Sequence, residues 1–85
     1  MLDVKIKKRD LNLEPFSYDK LLASITKSGV SVQDAERLAE TIKSWIFDNS
    51  QDGVISSTAV RDKVYEVLAS QFPVEADEYQ AFKKG

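Results

Sequence analysis

Apolar and polar positions alternate at the start of the chain, and the period then changes. Val4 and Ile6 interleave with Lys5 and Lys7, and Leu11 and Leu13 interleave with Asn12 and Glu14. Side chains that alternate in this way fall on opposite faces of an extended strand. Residues 3–8 and 11–15 are therefore expected to form a hairpin around Arg9-Asp10. From about Phe16 the apolar period lengthens to that of a helix, ~3.6 residues. Ser17 is placed to accept an orphan N–H as the N-cap of a helix over 18–28, with Leu21, Leu22 and Ile25 as its buried stripe. Gly29 can end that helix in the left-handed region.

Ser31, with Asp34 three residues later, has the form of a capping box and opens the longest predicted helix, 32–48. Ala35, Leu38, Ala39, Ile42, Trp45 and Ile46 recur along it at helical spacing, which makes it the centre of the core and predicts a largely buried Trp45. A turn at Asp48–Gly53 leads to a third helix, 57–70, whose apolar side carries Val60, Val64, Val67 and Leu68. Phe72-Pro73 stops it, since proline lacks the N–H a continuing helix needs. A short acidic helix, 74–83, follows with Tyr79 and Phe82 at i,i+3. The expected fold class is α+β and mostly helical: an N-terminal β-hairpin lid over a four-helix bundle, in a single domain spanning 1–85.

Composition narrows the chemistry. A chain of 85 residues buries roughly 60–65% of its unfolded surface, enough for one core and too little for a large active site. With no cysteine and no histidine, disulfides, thiolate metal sites and Ser-His or Cys-His catalysis are excluded. No apolar run approaches the ~20 residues of a membrane span, and no signal-peptide segment is present, so a soluble cytoplasmic protein is expected. Twelve basic side chains against fourteen acidic ones leave a net charge of −2, which argues against a general nucleic-acid binder. The basic character is local instead: Lys5, Lys7, Lys8 and Arg9 lie within five residues.

Two extended runs would hold Lys7, Lys8 and Arg9 near the carboxylate of Glu14, and the following helix brings Lys20 to the same end. That combination suits an anionic ligand carrying a polar heterocycle. Catalysis is not expected, because Glu75, Asp77 and Glu78 lie on an acidic helix expected to be exposed and no nucleophile is paired with a base. A rival motif spans Asp48–Ala59, which reads like a calcium-binding EF-hand loop with oxygen-bearing residues at positions 1, 3 and 5 and Gly53 at position 6. Position 12, where a bidentate glutamate belongs, is Ala59, so this reads as a degenerate loop.

Five fragments in order give the chain a family resemblance. Lys8-Arg9-Asp10, Glu14-Pro15-Phe16, Asp19-Lys20-Leu21, Ile55-Ser56-Ser57 with Val60-Arg61-Asp62-Lys63-Val64, and Tyr79-x-x-Phe82-Lys83 resemble the motifs of the ATP-cone, the nucleotide-sensing regulatory domain of ribonucleotide reductases and related proteins. Pro15-Phe16-Ser17 with Leu22, Ser24, Ile25, Gly29 and Val30 is more loosely similar to the cone of archaeal 2-phosphoglycerate kinases. The resemblance implies a non-catalytic domain that binds ATP or dATP, with Mg2+ as an optional companion, and so controls a partner enzyme or regulator or its own self-association. It implies a site made of Ile6, Lys8, Arg9, Glu14, Phe16, Ser17, Lys20, Leu21, Ser57, Arg61 and Lys83. It also implies that Tyr79, Phe82 and Lys83 close over the ligand from the last helix. One departure is plain: the family's turn glycine is Leu11 here, and Asn12 is expected to take the left-handed position instead. The alternatives are the degenerate EF-hand and an interaction module independent of nucleotide. The chain itself is either a free-standing sensor or part of a larger protein.

Overall fold

Serine hydroxyls set the start of three of the helices. The computed structural model describes residues 3–84, without the side chains of 82–84. Ser17 accepts from the Lys20 N–H at 3.3 Å and opens α1, Tyr18–Lys27. Ser31 accepts from the Asp34 N–H at 3.3 Å while its own hydroxyl donates to Asp34 Oδ2 at 3.1 Å, opening α2, Val32–Asn49. Ser56 accepts from the Ala59 N–H at 3.1 Å and opens α3, Ser57–Gln71. The last helix, α4 (Pro73–Lys84), begins on proline, whose missing N–H is one that a first turn leaves unpaired anyway. Every predicted helix end lies within one residue of the observed one.

The sheet holds one strand more than the periodicity predicts. β1 (Lys5–Lys7) and β2 (Leu13–Pro15) form the expected antiparallel hairpin, with Ile6 opposite Glu14. A third strand, β3 (Val54–Ser56), pairs parallel to β1 on its other side, with Ile6 opposite Ile55, so the order is β2-β1-β3. Three residues between a turn and an N-cap are too short to display alternation, which is why no pattern marks them. β3 runs straight into α3. The lid is therefore hydrogen-bonded to the segment that starts a helix of the bundle, and the Lys5 N–H adds a bond to the Gly53 carbonyl at 2.7 Å.

At the hairpin tip the left-handed residue is Leu11, at φ 72°, and not Asn12. The Leu11 N–H closes a turn on the Lys8 carbonyl at 2.9 Å, and the Lys8 N–H bonds the Asn12 carbonyl at 2.8 Å. A turn of this kind needs its last residue at positive φ to bring the second strand back into register. Asn12 is held by its neighbour instead: its N–H and its side-chain amide donate to the two carboxylate oxygens of Asp10, at 3.1 and 3.0 Å.

The core runs through the bundle. Ile25 from α1, Leu38, Ile42 and Ile46 from α2, and Val64 and Leu68 from α3 are fully buried, each such side chain contributing roughly 1.5–3 kcal/mol. Leu22 is half-buried, and so is Trp45, which departs from the largely buried indole expected of its spacing. Trp45 flanks the stripe rather than centring it, and Lys63 covers the ring with Nζ 5.5 Å from its centroid.

Leu11 is 71% exposed, so its side chain contributes little packing while its backbone carries the left-handed cost. Leu11→Asn is expected to raise the unfolding free energy by about 1 kcal/mol, because asparagine visits that region readily. Leu11→Ala keeps the cost and should not. Urea unfolding of both variants checks this, and equal midpoints would refute it.

Candidate functional site

Between lid and bundle the chain leaves a cleft of ≈ 310 Å³. Ile6 of β1, Glu14 and Pro15 of β2, and Phe16 and Ser17 of the following link form its lid side. Lys20, Leu21 and Ser24 of α1 face Ser57, Val60, Arg61 and Val64 of α3, with Tyr79 of α4 completing the wall. Ser17 caps α1, so Lys20, Leu21 and Ser24 lie on its first turns, and the β3-to-α3 junction brings Ser57 and Arg61 to the same opening.

The lining combines positive groups with apolar ones. The starts of α1 and α3 both open into it, through Ser17 and Ser57, and a helix N-terminus carries about half a positive charge. Lys20 and Arg61 add full charges, and among the described residues neither is ion-paired with a carboxylate. Glu14, half-buried, is the one acid in the lining, and it sits 3.6 Å from Lys8 Nζ in an ion pair that leaves both side chains partly in solvent. Such a pair is weak enough to be exchanged for a ligand contact. Lys8 is its partner, since Lys7 stands opposite Leu13 and so on the other face of the strand.

Eight of the eleven residues expected at the site line the cleft: Ile6, Glu14, Phe16, Ser17, Lys20, Leu21, Ser57 and Arg61. Lys8 and Arg9 are exposed on the hairpin outside the lining, and the side chain of Lys83 lies outside the described residues. Sequence reasoning left out Pro15, Ser24, Val60 and Val64, whereas Tyr79, expected to close over the ligand from the last helix, does line the cleft. Val60, Val64 and Tyr79 read as core by their spacing, and Val64 and Tyr79 are indeed buried while also walling the cleft. A smaller cavity of ≈ 150 Å³ adjoins it, sharing Arg61 and Tyr79 and adding Asp62, Tyr65 and Gln80.

The segment 48–59 that reads like a calcium loop is the end of α2, a turn, β3 and the first residues of α3. Asp52 and Gly53 both have positive φ, at 52° and 76°, and Asp48 and Asp52 are exposed. Among the described residues no three acidic side chains converge as a metal site.

The family model of the ATP cone domain matches residues 4–84, nearly the whole chain. The chain belongs to the ATP-cone family. Its three-stranded lid and four helices are the α+β, mostly helical fold that the resemblance implied. ATP cones bind ATP or dATP and are regulatory rather than catalytic domains, so a nucleotide-sensing role follows in general terms. No curated protein sequence matches closely enough to add a relative to that assignment. Among the described residues no helix of this cone is long and apolar enough to cross a membrane.

Tyr79, where the two cavities of the cone meet, is 2% exposed. Burial pushes its hydroxyl up to about 12, the Arg61 guanidinium opposing the rise and Asp62 adding to it. The neutral phenol is the form the fold favours, so its stabilising contribution is complete below the ordinary value of 10.0 and is lost as pH rises through about 12. Denaturant unfolding should therefore show stability falling over that alkaline window, and Tyr79→Phe should lessen the fall. Parallel curves for the two proteins would refute the role of this hydroxyl.

Proposed function

We propose that the cleft binds ATP or dATP and that its occupancy governs how this cone acts on a protein partner or on its own association, in the cytoplasm and without catalysis. One observation carries the proposal: two helix N-termini, and two cations that have no carboxylate partner among the described residues, open into a single cleft whose remaining walls are mostly apolar. Polyphosphate suits the first set of groups and a purine the second. In this reading Lys20 and Arg61, with the N–H groups near Ser17 and Ser57, hold phosphate. Lys8 and Arg9 reach it from the lid rim once Lys8 leaves Glu14, and Glu14 then orients the sugar or the base. Ile6, Phe16 and Leu21 pack on the heterocycle. Mg2+ would be carried by the phosphates, since no acidic cluster supports it among the described residues. Residues 1–85 act as one cone, and Lys83 completes the site from α4.

Titration with ATP, dATP and AMP, followed by backbone NMR, tests the assignment. Shifts centred on residues 6–21 and 57–61 are expected with the triphosphates, and their absence at saturating ATP would overturn it. A charge-assisted phosphate contact contributes roughly 1.5–3 kcal/mol. Lys20→Ala should thus weaken ATP binding by about ten- to a hundredfold at ~1.4 kcal/mol per decade. Unchanged calorimetric affinity in a folded variant would remove Lys20 from the site.

Occupancy is transmitted, in this proposal, through α4. Its residue Tyr79 lines the cleft, whereas Val74, Asp77, Glu78, Gln80 and Ala81 are exposed, so much of the helix is held by few apolar anchors. A segment of that kind opens locally at modest cost, and a ligand that touches it shifts the balance towards the closed form. Amide exchange across residues 74–81 should slow when ATP binds. Equal exchange with and without bound ATP would mean that α4 plays no part in the switch.

A further inference from the structure

Phe47 is left unexplained by the packing of α2. The buried stripe of that helix consists of Ala35, Leu38, Ala39, Ile42 and Ile46, and Phe47, the next residue after Ile46, stands about 100° around the axis from it. It is 40% exposed, one of the few large apolar side chains left in solvent among the described residues. Its ring nevertheless has a specific neighbour: the centroid lies 6.0 Å from that of Phe16, with the planes at 72°. This is the edge-to-face geometry in which the positive rim of one ring meets the negative face of another. Phe16 lines the cleft, and Phe47 does not.

Phe16 sits on the link between β2 and the N-cap of α1, held by its own N–H to the Val4 carbonyl at 2.9 Å. That bond fixes the backbone and leaves the side-chain torsions free, while the ring is only half-buried. The ring packs against the buried core on one side, and Phe47 supplies the aromatic edge that selects its orientation. We infer that Phe47 is a positioning residue for the nucleotide site, holding the Phe16 ring as the apolar wall against which the heterocycle packs. The inference rests on the nucleotide-binding function proposed above and adds to it a residue outside the cleft. Phe47 acts on the base and not on the phosphates, because Lys20 and Arg61 are positioned by α1 and α3 without it.

Calorimetric titration of wild type, Phe47→Leu and Phe47→Tyr with ATP and with inorganic tripolyphosphate tests this. Leucine keeps an apolar side chain and loses the ring edge; tyrosine keeps the edge. Phe47→Leu should bind ATP about two- to tenfold more weakly, the range expected for one aromatic pair, with tripolyphosphate affinity unchanged. Phe47→Tyr should behave as wild type. Wild-type ATP affinity in Phe47→Leu would overturn the inference, as would equal losses for ATP and tripolyphosphate, which would signify general loosening, or a Phe47→Tyr variant as weak as the leucine one. A wild-type protein that binds no ATP would overturn the nucleotide function itself, and this inference with it.

Discussion

The parallel pairing of β1 with β3 is the constraint on which the cleft depends. A two-stranded hairpin alone is marginal in water. Here β1 is bonded on both sides, to β2 and to the strand that leads into α3. Ile6, opposite both Glu14 and Ile55, is the residue through which the two pairings meet. Because β3 runs directly into α3, the same pairing fixes where Ser57 and Arg61 stand relative to the lid. Without it the lid residues Ile6 and Glu14 would have no set position over Lys20 and Arg61, which the helices of the bundle carry.

Glycines and a buried phenol show how the rest of the frame supports this junction. Gly53, at φ 76°, lies so close to the N-terminal strand that an added Cβ would stand 3.1 Å from the Asp3 carbonyl oxygen. Any larger residue would push on the segment that leads into β1, so the turn is tight for the sake of the sheet. At the opposite wall, Tyr79 fills the space between cleft and core. It is at once a packing residue and a surface that a ligand would touch, which couples α4 to the site through one side chain.

The first two helices were legible because each announces itself twice, by an apolar period and by a cap, and the other two by apolar spacing and the Phe72-Pro73 break between them. Ser17 and Ser31 with Asp34 are local signals, and local signals survive without tertiary information. β3 was not legible, since its partner β1 lies about fifty residues away and a parallel pair leaves no turn sequence to find. The tip of the hairpin failed for a different reason: intrinsic preference favours Asn12 at positive φ, but the register of the strands and the carboxylate of Asp10 place Leu11 there. Within the cleft, charged and capping residues such as Lys20, Arg61 and Ser17 stand out against their surroundings. Val60 and Val64 do not, because a wall that faces a ligand on one side and the core on the other has the composition of core.

Pro15 has a consequence beyond the shape of the cleft. β2 is an outer strand, and an unpaired strand edge is a template on which other chains can add and aggregate. In the register observed, the Phe16 N–H bonds the Val4 carbonyl and Glu14 pairs with Ile6, so the backbone of Pro15 points outwards. Its missing N–H therefore costs the sheet no hydrogen bond and removes a donor from the open rim. A basic, partly apolar hairpin that would otherwise invite strand addition is in this way kept from acting as a seed.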